Sequence, residues 1–319
     1  MLRFSCLALS MACTLACSGL SWADEPTPSE SPAAAEADPV KAPAPPDPPV
    51  KKYDLKYQFT AGELLRTEVV HQATVQTTIQ GTSQTAETRS TSIKTWQIDA
   101  VDDDGTVTFV HMVESIDMRQ KAQGHKEVHY SSATDSDAPP GYEDVAKAVG
   151  VPLTIVTMDN RGKILKRQEK RSQPASISTQ MTMPLPDHPV AVGETWSSPI
   201  DIDVVLKDGA TKKIKTRQKF TLDDVADDLA TIGIDSQILT PIHDPAIEAQ
   251  LIQRLSTGSI RFDMSAGRML GQQLDLDRHV IGFSGPASSM HYVTRFTEKL
   301  LKAPTETARA QEPENAATK

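Results

Sequence analysis

Cysteine is nearly absent: Cys6, Cys13 and Cys17 are the only three in 319 residues, and all fall within the first 17. If that leader is removed, the mature chain forms no disulfide and offers no thiolate to a metal or substrate. Beyond the leader no apolar run approaches the roughly 20 residues that a membrane-crossing helix needs, so no transmembrane helix is expected in the mature chain. Excess positive charge is missing too. Lys and Arg total 33 against 42 Asp and Glu, for a net charge of −9, and no cluster of cations offsets it, which argues against a nucleic-acid partner. The sequence contains no Gly-rich phosphate loop, Walker pattern or dinucleotide fingerprint. Aromatics make up 5% of the residues, few enough that a core needs most of them. The 38% hydrophobic and 24% charged content suits a soluble globular protein.

Residues 1–23 begin with one cation, Arg3, continue through an apolar stretch from Phe4 to Ala16, and end Ser21-Trp22-Ala23. Small residues at the third and first positions before the cut mark a signal-peptidase site, so export with cleavage before Asp24 is expected, into the periplasm or outside the cell. Cleavage takes Arg3 and no acid, moving the net charge from −9 to −10. The competing reading is a lipoprotein signal, with Leu15-Ala16 before a lipidated Cys17 and Thr14 where such boxes carry Leu. Residues 24–50, rich in Pro, Ala and acids and without periodicity, read as an extended, disordered spacer that holds the folded part away from a membrane or wall. Residues 303–319 read as a disordered tail. The folded region is about 51–302.

That region reads as mainly β. Tyr53, Leu55, Tyr57 and Phe59 alternate with polar residues as in a half-buried strand. Residues 66–101 suggest two long strands broken near Gly81, followed by strands around Val107 to Val113 and Val128 to Tyr130. In the second half Ile200, Ile202 and Val204 alternate, Asp208-Gly209 turns the chain, and Ile214, Thr216, Gln218 and Phe220 run back; Asp-Gly between alternating runs predicts a hairpin turn with positive φ at both positions. Two helices are expected. One covers 142–149. The other covers 245–256, with Asp244 as cap, Pro245 in its first turn and Gly258 as its stop; Ile247, Leu251, Ile252 and Leu255 give it an apolar stripe that packs on a sheet.

The element order repeats. Ala61-Gly62-Glu63 and Val192-Gly193-Glu194-Thr195-Trp196 each open a half, 131 residues apart. A hairpin, a strand, a helix and a strand-turn-strand unit follow each opening, the last at 154–165 and 259–270. Two related halves of curved antiparallel sheet, 51–170 and 185–302, each with one short helix, are therefore expected. They either pack against each other as two sheets or form one continuous clasp.

The Pro/Ala spacer, the VGETW opening at Val192 and the GSIRFDMSAGRM run from Gly258 together resemble uncharacterised exported proteins of planctomycete-type bacteria, grouped as a domain of unknown function. The resemblance covers most of residues 51–302, implies an envelope protein and brings no catalytic residues. The duplicated sheet-plus-helix plan is also similar in architecture to periplasmic lipoprotein carriers, which bind acyl chains inside an open half-barrel.

No residue pattern carries a clear chemistry. Among eight histidines (His71, His111, His125, His129, His188, His243, His279 and His291), the pair His125 and His129 has a ligand spacing only if helical, and strand alternation at Val128 and Tyr130 favours surface histidines. Gly282-Phe283-Ser284-Gly285 resembles part of a nucleophile elbow but lacks its second glycine and following helix, and reads as a turn. Asp102, Asp103 and Asp104 read as a solvated turn rather than a calcium loop. Asp275 and Asp277 share one strand face and read as its polar side; converging with His279 or His291 in a cleft they would suggest a hydrolase. The expectation is a noncatalytic exported envelope protein, without cofactor or metal, that binds an apolar ligand or an envelope protein; a structural component without ligand is the alternative. The candidate ligand face is Tyr57, Phe59, Trp96, Phe109, Trp196, Phe220, Phe262 and Phe296, whose competing role is core packing.

Overall fold

The computed structural model describes residues 50–171 and 182–302; the leader, residues 24–49 of the spacer, and the tail lie outside the described residues. The first half runs β1 (Lys52–Tyr53), β2 (Leu64–Ile79), β3 (Thr82–Val101), β4 (Val107–Ala122), β5 (Val128–Ser131), α1 (Glu143–Ala148), β6 (Pro152–Met158) and β7 (Ile164–Glu169). The second half runs β8 (Val190–Ala191), β9 (Thr195–Val205), β10 (Thr211–Ala226), β11 (Leu229–Ile238), α2 (Pro245–Leu251), a single 3-10 turn (Ile252–Arg254), β12 (Thr257–Asp263), β13 (Arg268–Ile281) and β14 (Ser288–Leu300).

All strands but β1 and β8, which pair with each other, join one antiparallel sheet in the order β7-β6-β4-β3-β2-β14-β13-β12-β11-β10-β9, with β5 also on β4. Each half is a meander, and the two meet where the first long strand pairs with the last: β2 and β14 stay in register from Thr67 opposite Leu300 to Ile79 opposite Ser288. The expected mainly β fold is present, as one continuous sheet.

The halves match in detail. Gly62 and Gly193 both have positive φ, and their amides donate to Ile98 O and Leu222 O. Ile98 N and Leu222 N return bonds to Glu63 O and Glu194 O. A bulge follows at the same point in each, between Ile98 and Ala100 and between Leu222 and Asp224.

The sheet must curl. One core cluster joins Ile98, Phe109 and Val156 of the first half to Phe220, Ile232 and Phe262 of the second. In the second half, Leu251 packs with Val204 and Ile214, while Ile252, the next residue, packs with Leu276, Val280 and Tyr292. β9 and β13 are four places apart in the sheet, about 19 Å if flat at roughly 4.8 Å per strand. Neighbouring residues reach both only because the sheet wraps round them. Residues 54–59 run along the core with Leu55 and Tyr57 buried in it and Asp54, Lys56 and Gln58 exposed: Tyr57 N donates to Asn160 O, and Gln58 N to Gly267 O, one turn from each half.

Three local expectations change. The alternating run 53–59 is a ladder strand only at Lys52–Tyr53, because the amides of Tyr57 and Gln58 find their acceptors in turns. In the Asp208-Gly209 hairpin only Gly209 has positive φ; both central positions are positive instead at Gln80 and Gly81, between β2 and β3. Gly258 is not a helix stop. It lies in β12, where an added Cβ would sit 1.9 Å from Gln273 O, so close backbone approach explains the glycine.

Candidate functional site

The curled second half holds a half-open cavity of about 710 Å³ between the aromatic core and the segment that follows α2, within the range of small-molecule sites. Alternation along the strands builds its wall. On β10, Thr216, Gln218 and Phe220 line it at every second residue, and the register sets Gln218 opposite Ser236 and Phe220 opposite Ile234 of β11. Ile200 and Ile202 of β9, Ile260 of β12, Leu274 of β13 and Phe296 of β14 complete an apolar lining, closed by Met183 at the core end and Ser256 after α2. α2, which precedes the lining residues Arg254 and Ser256, is started by a cap: Asp244 Oδ1 accepts from Ala246 N at 2.9 Å with Pro245 in the first turn.

The polar groups of the wall divide into two sets. The Thr216 hydroxyl donates to Ile200 O at 2.6 Å, and Gln272 Nε2 donates to Glu298 at 2.7 Å. Gln218 Oε1 and Ser236 Oγ are buried and have no hydrogen-bond partner. The charged lining residues Asp201, Asp203, Arg217 and Arg254 are exposed and form the rim. Near the seam, burial pushes the Lys94 ammonium pKa down and the charge of Glu298 opposes that shift.

Two of the eight residues of the predicted ligand face, Phe220 and Phe296, line this cavity. Phe109, Phe220 and Phe262 are fully buried and Tyr57 nearly so, while Phe59, Trp96 and Trp196 pack against that core. Trp96 stacks on Phe109 at 4.4 Å and Trp196 on Phe220 at 5.6 Å. Tyr57 donates to Met183 O at 3.0 Å, and burial raises its pKa above the usual phenol range. Gln218 and Ser236 are not among the residues expected from the sequence; the visible signal is a polar Gln at an inward position between Ile214 and Phe220.

Of the other candidates one set gathers: Asp277 Oδ1 lies 2.7 Å from His291 Nε2, the rings of His291 and His279 are 5.6 Å apart, Asp275 pairs with Arg295 at 2.6 Å, and both aspartates line a second, more open cavity of about 590 Å³ together with Arg278 and Arg295. His129 pairs with Asp117 at 2.8 Å on β5 and β4, and His125 stands apart in the turn before β5. Among the described residues no three His, Cys, Asp or Glu side chains gather as a metal group. The Ser284 amide donates to Ser288 Oγ, and Ser288 Oγ to Gly285 O, which makes 282–288 a hydrogen-bonded turn between β13 and β14. Among the described residues no helix is long and apolar enough to cross a membrane.

Residues 171–271 match a family of unknown function (DUF6263). No curated protein matches the chain. Among solved structures, that of lipid-protein interactions in lipovitellin shares 10% identity and a TM-score of 0.41, covering 78% of this chain and 26% of its own. DynF from the dynemicin biosynthesis pathway of Micromonospora chersina shares 6% identity and a TM-score of 0.21, covering 81% of this chain and 88% of its own. This chain thus spans about a quarter of the lipovitellin chain.

Proposed function

We propose that this chain is a noncatalytic exported protein of the cell envelope that binds an apolar ligand in the curled second half. The observation that carries the reading is the half-open cavity of the second half, about 710 Å³ and lined by Ile200, Ile202, Ile234, Ile260, Leu274 and Phe296. A half-open, largely apolar cleft of this size is the kind of space that small-molecule ligands occupy. The leader at 1–23 and the Pro/Ala spacer support export and reach, in keeping with the resemblance to exported proteins of planctomycete-type bacteria. The noncatalytic reading draws on chemistry: Asp275, Asp277 and His291 do lie together beside an open cleft, but the Arg295 guanidinium holds the Asp275 carboxyl below the usual carboxylate range, the opposite of what a general acid needs.

The test is the intact mass of protein recovered from its native envelope, under native and then denaturing conditions. Extra mass present only under native conditions supports a noncovalent ligand and begins to identify it. A bare mass in both conditions, with purified lipid extract failing to add any, favours the second reading, a structural envelope component. That reading draws on the consumption of most predicted face aromatics by the core.

A further inference from the structure

β13 and β14 bring two imidazoles together on the outer face of the sheet. His279 stands directly opposite His291 in the ladder, and directly opposed side chains on one face have Cβ atoms about 5 Å apart. The ring centres are 5.6 Å apart and the ring planes meet at 52°. A metal ion lies roughly 2.0–2.1 Å from an imidazole nitrogen, so two imidazoles at the tetrahedral angle on one ion have ring centres about 5 Å apart. The hairpin therefore holds the rings near the spacing that a shared ion requires, and small rotations of exposed side chains supply the rest.

Asp277 adds a second element of such a site. Its Oδ1 lies 2.7 Å from His291 Nε2. A carboxylate there keeps the ring proton on Nε2 and leaves the Nδ1 lone pair for an ion, and metal-bound imidazoles almost always carry such a partner on their other nitrogen. Across the ladder on β2 the residues opposite His291 and Val293 are the uncharged Gln76 and Thr74, and Arg295 is taken up by Asp275 at 2.6 Å. The exposed pair on β4 and β5 supplies the contrast. His129 lies 2.8 Å from Asp117, but the residue opposite it in the ladder is Arg119. His129 faces a guanidinium, whereas His291 faces a second donor.

We propose that His279 and His291 bind one divalent transition-metal ion of the kind that imidazole prefers, such as Zn²⁺ or Cu²⁺, with Asp277 as the positioning carboxylate behind His291. Among the described residues no third protein donor joins the pair, so water completes the coordination and the ion stays exchangeable. The site is separate from the apolar cavity and does not depend on its reading.

The experiment titrates full-length mature protein, free of any affinity tag and stripped of metal by a chelator, with ZnCl₂ and with CuCl₂ in a calorimeter at pH 7.5. One ion per chain is expected, with Cu²⁺ bound more tightly than Zn²⁺. His279→Gln and His291→Gln should each weaken Zn²⁺ at least about tenfold, and Asp277→Asn about tenfold, the usual cost of losing the partner behind a ligand. His129→Gln should leave the affinity unchanged. The substituted side chains are exposed, and an unchanged urea midpoint checks that each variant folds. In the wild type, substoichiometric Cu²⁺ should broaden the imidazole NMR signals of His279 and His291 before those of the other histidines. The site is overturned by wild-type protein that binds neither ion below about 1 mM, by wild-type affinity in either His279→Gln or His291→Gln, or by broadening that begins at other histidines. Wild-type affinity in Asp277→Asn overturns the role given to that carboxylate.

Discussion

His111 gives the fold a pH dependence that can be worked out from its surroundings. It lies on β4 opposite Trp96, is 3% exposed, and its Nδ1 has no hydrogen-bond partner. Burial, with the charges of Lys94 and Arg167 nearby, lowers its pKa from 6.5 to about 3. An unfolded histidine takes up its proton near 6.5. Between those values the unfolded chain binds more protons, so stability is complete above about pH 6.5 and is lost as pH falls. At most about 1.4 kcal/mol is lost per pH unit, and by pH 5 the loss from this one group is about 2 kcal/mol. Urea unfolding of the wild type and of His111→Leu at pH 7.5 and pH 5.0 isolates it. The wild type should lose about 2 kcal/mol more than the variant over that interval. His71, whose pKa burial also lowers, contributes with the same sign but is present in both proteins. Asp54, Asp244, Asp263 and Asp275, held below the usual carboxylate range by hydrogen bonds, stay ionised at pH 5. Equal pH dependence in the two proteins, within about 0.5 kcal/mol, refutes the buried neutral imidazole.

Gly258→Ala should destabilise by at least about 2 kcal/mol in urea unfolding, because its Cβ would meet the Gln273 backbone; an unchanged midpoint would show that β12 and β13 separate freely. Asp244→Ala removes the cap of α2 and should cost about 1 kcal/mol, with faster amide exchange at Ala246 as the local sign. Leu274→Trp, on the cavity wall, should abolish uptake of the apolar fluorophore N-phenyl-1-naphthylamine while the protein still unfolds cooperatively; retained uptake would put the probe elsewhere. Without ligand, Gln218→Leu/Ser236→Ala should raise the melting temperature, since it removes two unsatisfied buried oxygens; a lower melting temperature would mean that water already satisfies them.

Sheet residues that alternate cleanly were legible, because a strand buried on one face writes its period of two into the sequence. Ile200 to Val204 and Ile214 to Phe220 form the β9–β10 hairpin as expected, with Ile202 opposite Ile214. The cap of α2 was equally legible, since Asp-Pro at a helix start acts locally. The same alternation misled at 54–59, where the extended backbone is bonded by turns from both halves, and sequence period cannot tell a ladder partner from a turn carbonyl. The pairing of β2 with β14 joins residues more than 200 apart and has no local signature. The site was partly legible for a related reason. Aromatics on inward positions announce a buried face, but whether that face is filled or hollow depends on what stands across the curl. Gln218 at an inward position was the informative departure, because a polar side chain there needs a partner that the local sequence does not name.

The duplication suggests why the described cavity belongs to the second half. The matched bulges align Ile98 opposite Phe109 with Leu222 opposite Ile232. One step along, Trp96 opposite His111 corresponds to Phe220 opposite Ile234, and one step further Lys94 opposite Val113 corresponds to Gln218 opposite Ser236. The first half thus carries an indole stacked on Phe109 and then a long cation, where the second carries a phenyl ring and then a short polar pair. Its far end is filled as well, by Tyr130 of β5 and Tyr142 beside α1 packed on Ile116. Among the described residues of the second half no strand stands where β5 does; α2 and the 3-10 turn lead the chain back to β12. One backbone plan therefore carries different inward side chains at matching places in its two copies. Exchanging them is the direct consequence to exploit: Gln218→Lys should reduce uptake of apolar probes by placing a cation on a neutral wall, while leaving the β10–β11 ladder, which is made by backbone groups, intact.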